Sequence, residues 1–357
     1  MNRFYRLAVF IFFGMMVNTS CDKETPTEQE NEFTALRVDG RVLKNGRGQT
    51  VRLCGVNIAS LEWTNNGEHI FESIQEATTN WGANAIRLPL SQDRWFGRAP
   101  GQTDAGLGYQ AIVNMAVKNC TDKKCYLILD LHWSNAGKWG QNIGQHKMPD
   151  QYSLAFWQSV AEKYKNHPAI LFDIYNEPHN VSWEIWRDGG TVTEEQNGQE
   201  LTYAAIGLQQ LVDAIRKKRA KNVIIAGGLD WGYDLAGVAN GYALSDPDGN
   251  GIMYSSHIYP WKGNNAAAWN PHVAVIADEY PVFIGEAGCR PEPNQEDPFT
   301  WAPKIIQYIN DFQFSWTAWC FHPSAGPCII ESWNYDPTPY WGVFVKEALL
   351  IEQKKRR

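Results

Sequence analysis

The chain has 357 residues, of which 44% are hydrophobic and 20% charged, and its formal net charge is −7. This length suits one large domain, and the hydrophobic content excludes a chain that is disordered throughout. The negative charge argues against nucleic acid or an anionic membrane surface as the main partner, because both favour basic patches.

The N-terminus has the pattern of an export signal over residues 1–20. Arg3 and Arg6 form a positively charged region, and residues 7–17 form an apolar stretch too short to span a bilayer. We therefore predict that this segment directs export and is removed from the mature protein.

Cys21 follows small residues, as at the processing site of a lipoprotein, although Asn18 stands where such sites usually carry Leu. Residues 21–34 are polar and acidic, which is typical of a flexible tether. We expect the chain to be lipid-anchored through Cys21 to a bacterial membrane, either periplasmic or at the cell surface. Secretion without an anchor is the alternative.

The other six cysteines could form disulfides after export. Cys120 and Cys125 are close in sequence, as are Cys320 and Cys328, so each pair could close a loop, although spacing alone does not fix the pairing. The sequence contains no CxxC pair, HExxH motif or Cys/His cluster. We therefore predict no metal site.

From residue 35 onward, short apolar runs alternate with amphipathic stretches. A β-hairpin is predicted over residues 36–53 by its Asp39-Gly40 and Asn45-Gly46 turns. Eight strand-like runs follow: 51–57, 85–90, 126–133, 169–179, 222–231, 252–260, 281–288 and 315–321. Helix-like segments between them include 151–165, 199–218, 301–311 and 340–353.

Eight strand–helix units predict an α/β fold, a (β/α)8 TIM barrel in one domain over residues 35–353, preceded by the N-terminal β-hairpin. An open doubly wound sheet is the alternative. The first strand is not followed by the glycine-rich fingerprint of a nucleotide-binding fold, which favours the closed barrel.

Barrel enzymes place their chemistry at the C-terminal ends of the strands. The predicted strands end in polar or aromatic residues that a purely structural barrel would not require. These are Arg87, His132, Trp133, Asn176, Glu177, His257, Tyr259, Glu286 and Trp319. All of them are expected to face one cleft.

Two of these strand-end residues are carboxylates, Glu177 and Glu286, and each directly follows an apolar run. One such Glu could be a buried salt-bridge partner. Two at one barrel mouth, amid Trp and His, favour glycoside hydrolysis, in which one carboxyl protonates the leaving oxygen and the other attacks or activates water. The content of 16 Trp residues also favours a carbohydrate substrate, because Trp rings can stack on the apolar faces of sugars.

The tripeptide Asn-Glu-Pro at 176–178 ends the predicted fourth strand, and the stretch LRVDGRVLKNGRGQTVRLCGVN opens the barrel. With the strand-end residues above, these motifs resemble glycoside hydrolase family 5 over about residues 36–350. That family consists of retaining barrel enzymes and includes many cellulases and mannanases. Relatives often carry Arg at the position of Cys54, which precedes the rim.

The resemblance implies a role for each matching residue. Glu177 would be the acid/base, and Glu286 the nucleophile that forms a glycosyl-enzyme intermediate. Asn176 would hydrogen-bond the sugar 2-hydroxyl. Arg87 and Tyr259 would hold Glu286 ionised and oriented.

The resemblance also implies residues that bind the substrate. His132 and His257 would line the catalytic subsite, and Trp319 would form its stacking floor. Aromatic residues in the loops after the strands are candidates for outer subsites: Trp133, Trp139, Trp231, Trp261 and Trp333.

The predicted function is that of a retaining glycoside hydrolase that cleaves β-glycosidic bonds in a polysaccharide, as a cofactor-free monomeric endo-β-1,4-glucanase of the cellulase type. A β-mannanase, a xyloglucanase, an exo-β-glucosidase or a glycolipid glycosidase of the same fold would share these residues. A non-catalytic glycan-binding lipoprotein is an alternative of a different class, which the presence of both Glu residues disfavours. A metal-dependent barrel hydrolase is disfavoured because the sequence offers no His-x-His or carboxylated-Lys ligand set.

Overall fold

The structure is a computed structural model that describes Met1 and residues 33–137, 144–196 and 198–356. The predicted export signal, the predicted lipidation site Cys21 and the candidate sugar-binding residue Trp139 lie outside the described residues. Phe33–Arg357 form one compact unit. In the described part of the chain, no helix combines the length and apolarity needed to cross a lipid bilayer.

The strands are, in chain order, Arg37–Asp39 (β1), Val42–Lys44 (β2), Thr50–Val51 (β3), Cys54–Asn57 (β4), Ala85–Ser91 (β5), Tyr126–Trp133 (β6), Ile170–Asp173 (β7), Gly190–Gln196 (β8), Gln199–Ala205 (β9), Ile224–Gly227 (β10), Ile252–Ile258 (β11), Val282–Ala287 (β12) and Ser315–Ala318 (β13). Eight of them, β4–β7 and β10–β13, form a closed barrel in chain order. Parallel pairing of β7 with β10 and of β13 with β4 completes the ring. The predicted TIM barrel is confirmed.

The α-helices are Ile70–Thr79 (α1), Gln92–Trp95 (α2), Leu107–Asp122 (α3), Gln151–Tyr164 (α4), Trp183–Asp188 (α5), Leu208–Lys217 (α6), Leu229–Gly232 (α7), Ala266–Trp269 (α8), Pro298–Asp311 (α9) and Gly342–Lys355 (α10). Single turns of other helix types are Val238–Tyr242, Pro260–Lys262 and Ala274–Ile276. Each barrel strand packs between the barrel interior and this outer layer. Every residue of β5 and β6 is therefore buried, which explains their nearly continuous apolar sequences.

The N-terminal hairpin is part of a three-stranded antiparallel sheet, in which β2 pairs with both β1 and β3. Phe33 and Thr34, the last two residues of the predicted tether, contact this region. The Phe33 ring lies 4.5 Å from the Tyr126 ring of β6, and Thr34 Oγ1 accepts a hydrogen bond from the Gly46 amide.

The helix predicted over residues 199–218 is wrong in its first half. Residues 199–205 form β9, which pairs antiparallel with β8 outside the barrel, and α6 begins only at Leu208. The composition of this stretch is compatible with a helix. However, one face of the hairpin is buried through Val192, Glu194 and Ala205, and that contact with a distant part of the chain stabilises the strands.

All six cysteines in the described part of the chain are thiols, so neither of the two possible loop-closing pairs forms a disulfide. Five of the six are buried. Burial raises the pKa of the Cys54 thiol to about 11, which keeps it protonated and unreactive at neutral pH.

Candidate active site

The strand-end residues predicted from the sequence meet at the C-terminal mouth of the barrel. Arg87, His132, His257 and Glu286 lie on β5, β6, β11 and β12, respectively. The loops that follow β7, β11 and β13 carry Asn176, Glu177, Tyr259 and Trp319. Because the strands run in parallel, their C-terminal ends bring side chains that are distant in sequence into one cluster.

The carboxyl groups of Glu177 and Glu286 both approach the same nitrogen of His257. Nδ1 of His257 lies 2.9 Å from Oε1 of Glu177 and 3.8 Å from Oε2 of Glu286. One oxygen of each carboxyl and one nitrogen of His257 lie within 4.8 Å of one another, close enough to hold a cation as well. Carboxyl groups are about 5–5.5 Å apart in retaining glycosidases and about 6.5–9.5 Å apart in inverting ones. The short distance between these oxygens agrees with the retaining arrangement.

Glu286 is bound at both carboxylate oxygens. Nη1 of Arg87 donates to Oε1 at 2.9 Å, and the hydroxyl of Tyr259 donates to Oε2 at 2.5 Å. Burial, followed by the nearby Glu286 carboxylate, raises the pKa of Tyr259 well above its usual value, so the phenol keeps the proton that it donates. These two donors fix the orientation of Glu286.

Glu177 has a different environment. Burial raises its pKa to about 7, and His132 and Arg87 oppose this shift only in part. Its neighbour His257 is neutral near pH 7, because burial lowers the pKa of that imidazole to about 3. Glu177 can therefore carry a proton near neutral pH, as a general acid must.

Arg87 is fully buried and links the carboxylates of the site. Its Nε donates to Asp173 at 2.8 Å, and its Nη2 lies 3.1 Å from Asp130 in addition to its contact with Glu286. Burial raises the pKa of both aspartates, while the positive charge of Arg87 acts in the opposite direction. One cation is thus shared by three carboxylates.

Asp130 and Asp173 were missed by the sequence reasoning, as was Asn57, whose Oδ1 accepts from Nη1 of Arg87 at 3.0 Å. A usable signal was present for the two aspartates. Asp130 lies inside the largely apolar β6, Asp173 is the last residue of the otherwise apolar β7, and buried charges are paired in folded proteins. Arg87, in the neighbouring apolar run, was the available partner.

His132 and Asn176 form one hydrogen-bonded unit with Asp130. Nδ1 of His132 lies 2.7 Å from Asp130, and Nδ2 of Asn176 lies 3.4 Å from Nε2 of His132. Burial lowers the pKa of His132 to about 4, so the ring is neutral near pH 7. Nδ2 of Asn176 also donates to Oε1 of Gln145 at 3.0 Å, and Gln145 is a further residue that the sequence did not indicate.

Gly285 directly precedes Glu286, and the site requires a glycine there. A Cβ atom at this position would lie 2.5 Å from Oγ of Ser255 and 2.8 Å from Nε2 of His257. Both distances are shorter than van der Waals contact. Without a side chain at residue 285, the His257 ring can pack directly against β12 beside the carboxylate pair.

The aromatic residues of the rim differ in exposure. Trp319 is 9% exposed and stacks on His132, with ring centroids 5.3 Å apart and planes 11° apart. Trp261 is 60% exposed and stacks on Tyr259 at 4.7 Å. Trp133 is only 4% exposed, a position that suits loop anchoring. Sugar binding by these residues stays a prediction.

Three more tryptophans lie on the rim. Trp63, in the loop after β4, was not singled out from the sequence; its ring lies 6.5 Å from that of Trp133, and its Nε1 donates to Glu68. Trp231 is 37% exposed and stacks on His179 at 3.5 Å, while Trp333 stacks on His69 at 4.4 Å.

Comparison with known proteins agrees with this geometry. The sequence matches the family model for cellulase (glycosyl hydrolase family 5) over residues 45–325. It is 23% identical over 337 residues to an endoglucanase from Microbulbifer sp. (strain ALW1), covering 88% of this chain but 58% of that protein. It is 26% identical over 327 residues to a cellulase from Thermoanaerobacterium sp., covering 85% of this chain and 74% of that protein.

The fold is similar to that of a β-glucanase from Saccharophagus degradans, with a TM-score of 0.69 and 23% identity over 90% of this chain and 94% of that one. It is also similar to the catalytic domain of the major endoglucanase from Xanthomonas campestris pv. campestris, with a TM-score of 0.68 and 19% identity over 88% and 99% of the two chains. These structural similarities show that the fold is the same barrel, and the match to the family model extends over most of the barrel residues. The chain belongs to the cellulase family, glycosyl hydrolase family 5.

Proposed function

We propose that the chain is a retaining endo-β-1,4-glucanase. The observation that carries this proposal is the pair Glu177 and Glu286, whose carboxyl oxygens lie within 4.8 Å and whose surroundings differ. Relatives that include an endoglucanase and a cellulase support the reaction class. The β-glucanase from Saccharophagus degradans has been crystallised with cellotetraose, which supports a β-glucan as substrate.

In this mechanism, Glu177 protonates the glycosidic oxygen while a carboxylate oxygen of Glu286 attacks the anomeric carbon. The bond to the leaving group breaks and a covalent glycosyl-enzyme forms. Glu177, now ionised, then removes a proton from water, which attacks the same carbon and releases Glu286. Two inversions give net retention of configuration. Arg87 and Tyr259 hold Glu286 in line throughout.

Attack within a long chain, rather than at its end, is supported by aromatic residues on both sides of the carboxylate pair. Trp231 lies beside the acid/base, since its amide donates to the carbonyl of Pro178 and its ring stacks on His179. Trp63 packs against the cluster that contains Trp319. Rings at both ends of a cleft can stack on successive sugar units of a polysaccharide.

A panel of polysaccharides tests this proposal: carboxymethylcellulose, mixed-linkage β-glucan, xyloglucan and β-mannan, with an aryl β-glucoside as a probe of exo action. We expect the viscosity of the β-1,4-glucans to fall well before much reducing sugar is released. Release of glucose alone from chain ends, or faster cleavage of mannan, would replace the proposed specificity with one of the alternatives above.

The raised pKa of Glu177 predicts the pH dependence of hydrolysis. The acid must be protonated in the free enzyme, so kcat/KM should decrease about tenfold per pH unit above a pKa of about 7. A dinitrophenyl cellobioside provides the control, because its leaving group departs without protonation. Its kcat/KM should not decrease over the same pH range, and an equal decrease would assign the pKa to another group.

We also propose that the chain is exported and anchored through a lipid on Cys21, as a monomer. The charged and apolar regions of residues 1–17 and the small residues before Cys21 support this. Palmitate labelling in a bacterial host, with Cys21→Ser as the control, tests the anchor. Equal labelling of both proteins, or of neither, would contradict it.

A further inference from the structure

The segment 144–149 lies between the carboxylate pair and the β8–β9 hairpin. Its residue Gln145 makes two bonds into the site. Oε1 accepts from Nδ2 of Asn176 at 3.0 Å, and Nε2 donates to the backbone carbonyl of Glu177 at 2.7 Å. One buried side chain therefore holds both the residue assigned to the sugar 2-hydroxyl and the backbone of the acid/base.

Gln145 is also one of three partners that orient the Asn176 amide, together with Arg87 and His132. Nη2 of Arg87 donates to Oδ1 of Asn176 at 2.8 Å, on the side of the amide opposite to the bond with Gln145. With a donor on Oδ1 and an acceptor on Nδ2, the amide has one favourable orientation. Loss of the Gln145 bond would leave Nδ2 with only its longer contact to Nε2 of His132, at 3.4 Å, so the amide would be held less firmly in this orientation.

The hairpin in turn holds the backbone next to Gln145. Glu194 of β8 is 6% exposed; its Oε2 accepts from the Lys147 amide at 2.8 Å, and its Oε1 contacts Nδ1 of His146. On β9, the hydroxyl of Tyr203 accepts from the Met148 amide and donates to the Met148 carbonyl, both at 3.0 Å. Both strands thus bind the segment 146–148.

Glu194 makes its contacts as an anion. Burial opposes its charge, but its bonds to His146 and to the Lys147 amide outweigh burial and lower its pKa. Burial of a carboxylate costs free energy unless hydrogen-bond donors or a cation compensate its charge. Its partners here all belong to the segment that carries Gln145 or, through Gln196, to the hairpin itself.

We propose that Glu194 is a positioning residue for hydrolysis: it fixes segment 146–148, which sets Gln145, which holds Asn176 against the sugar 2-hydroxyl. The β8–β9 hairpin is then a support for the catalytic subsite. This inference rests on the proposed function, because it assumes that Asn176 contacts a sugar in the transition state.

The test compares Glu194→Gln with Glu195→Gln, which changes the neighbouring, exposed residue of the same strand. Each variant is assayed on an aryl β-cellobioside and on its analogue without the 2-hydroxyl on the sugar next to the leaving group. Glu194→Gln should lower kcat/KM about 10–100-fold on the parent substrate, the scale of a small displacement in a catalytic site, but less than about threefold on the deoxy analogue. The analogue has no 2-hydroxyl contact to lose.

Glu195→Gln should match the wild type on both substrates. Gln145→Leu also removes the bond to the Glu177 carbonyl, so it is compared on dinitrophenyl substrates, whose leaving group departs without the proton of Glu177. On these it should show the same selective loss as Glu194→Gln, and the double variant should be no worse than either, since both changes act on the contact with Asn176. Gln145→Leu also keeps the test decisive if Glu194→Gln does not fold.

Equal losses on the two substrates, or wild-type behaviour of Glu194→Gln and Gln145→Leu, would overturn the inference while leaving the proposed function intact. A wild-type protein that hydrolyses neither substrate would instead remove the proposed function, and this inference with it.

Discussion

Replacement of Glu286 by alanine is expected to lower the rate of β-glucan hydrolysis by at least about 10³-fold, the scale of removing a covalent catalyst. Glu286 is the carboxylate held by Arg87 and Tyr259, and it alone can form the glycosyl-enzyme in the proposed mechanism. Glu177→Ala should cause a comparable loss on polysaccharide, because an unactivated sugar leaving group needs its proton. Reducing-sugar release over time measures both losses.

Azide distinguishes the two roles, because each alanine variant opens a different face of the sugar to a small anion. In Glu286→Ala, azide would attack from the side of the missing nucleophile and give the α-glycosyl azide. In Glu177→Ala with an activated substrate, Glu286 still forms the intermediate, and azide would attack from the other side to give the β-glycosyl azide. The anomeric configuration of the product is read by NMR.

If Glu286→Ala gave the β-glycosyl azide and Glu177→Ala the α-glycosyl azide, the roles of Glu177 and Glu286 would have to be interchanged. Full turnover by either variant would remove that residue from the mechanism. Glu286→Gln is the matched control for shape, since it keeps the side-chain volume but cannot act as an anionic nucleophile. It should be as inactive as Glu286→Ala, and it should not be rescued by azide because the cavity is filled.

The sequence predicted the barrel and the strand-end residues for one physical reason. A parallel strand buried on both sides is apolar throughout, so a polar residue at its end stands out, and the topology brings all such ends together. Glu177, Glu286 and His257 were found in this way. Arg87 was found as the one polar residue of its apolar run, and it is the third residue of β5 rather than its last. Their mutual contacts follow from barrel closure and did not require local sequence patterns.

Residues that support the site were harder to predict. Asp130 lies inside β6 and Asp173 ends β7, and the role of these buried charges is recognisable only if their partner Arg87 is known to point into the same interior. Gln145 and Glu194 carry no local signal, because an amide in a loop and an acid on a surface strand are ordinary residues. Their positions depend on contacts between segments about 50 residues apart.

The β8–β9 hairpin was also hard to predict, because its strands depend on contacts with distant parts of the chain. Residues 199–205 form a strand because β8 pairs with them and because Tyr203 bonds to Met148 of segment 146–148. The Glu, Leu and Ala residues of this stretch favour a helix in isolation, so the sequence pattern alone predicts a helix here. Tertiary contacts outweighed that preference, and the element that was mispredicted is the one that supports the catalytic subsite from outside the barrel.

Replacement of Arg87 by methionine is expected to lower the free energy of unfolding at pH 7 by about 3–5 kcal/mol, because it leaves buried carboxylates without their cation. The loss should depend on pH with a definite sign. Without Arg87, the raised pKa values of Asp130 and Asp173 rise further, so the folded state binds more protons than the unfolded state. Stability must then decrease as the pH rises. Denaturant unfolding between pH 5 and pH 8 measures this slope.

Arg94→Met is the matched control, because Arg94 is also buried but bonds to the backbone carbonyls of Glu62 and Ala136. It should also lose stability through unpaired polar groups, but its pH slope should change less than that of Arg87→Met. The charge of Arg94 interacts with Glu62 and Asp93, but its hydrogen bonds go to carbonyl and amide oxygens rather than to carboxylates. A steeper decrease with pH in Arg87→Met alone would show that this one cation makes the carboxylate cluster tolerable at neutral pH. Equal slopes in the two variants would mean that the aspartates are protonated already in the wild type, and that Arg87 serves to position Glu286 and Asn176 rather than to neutralise charge.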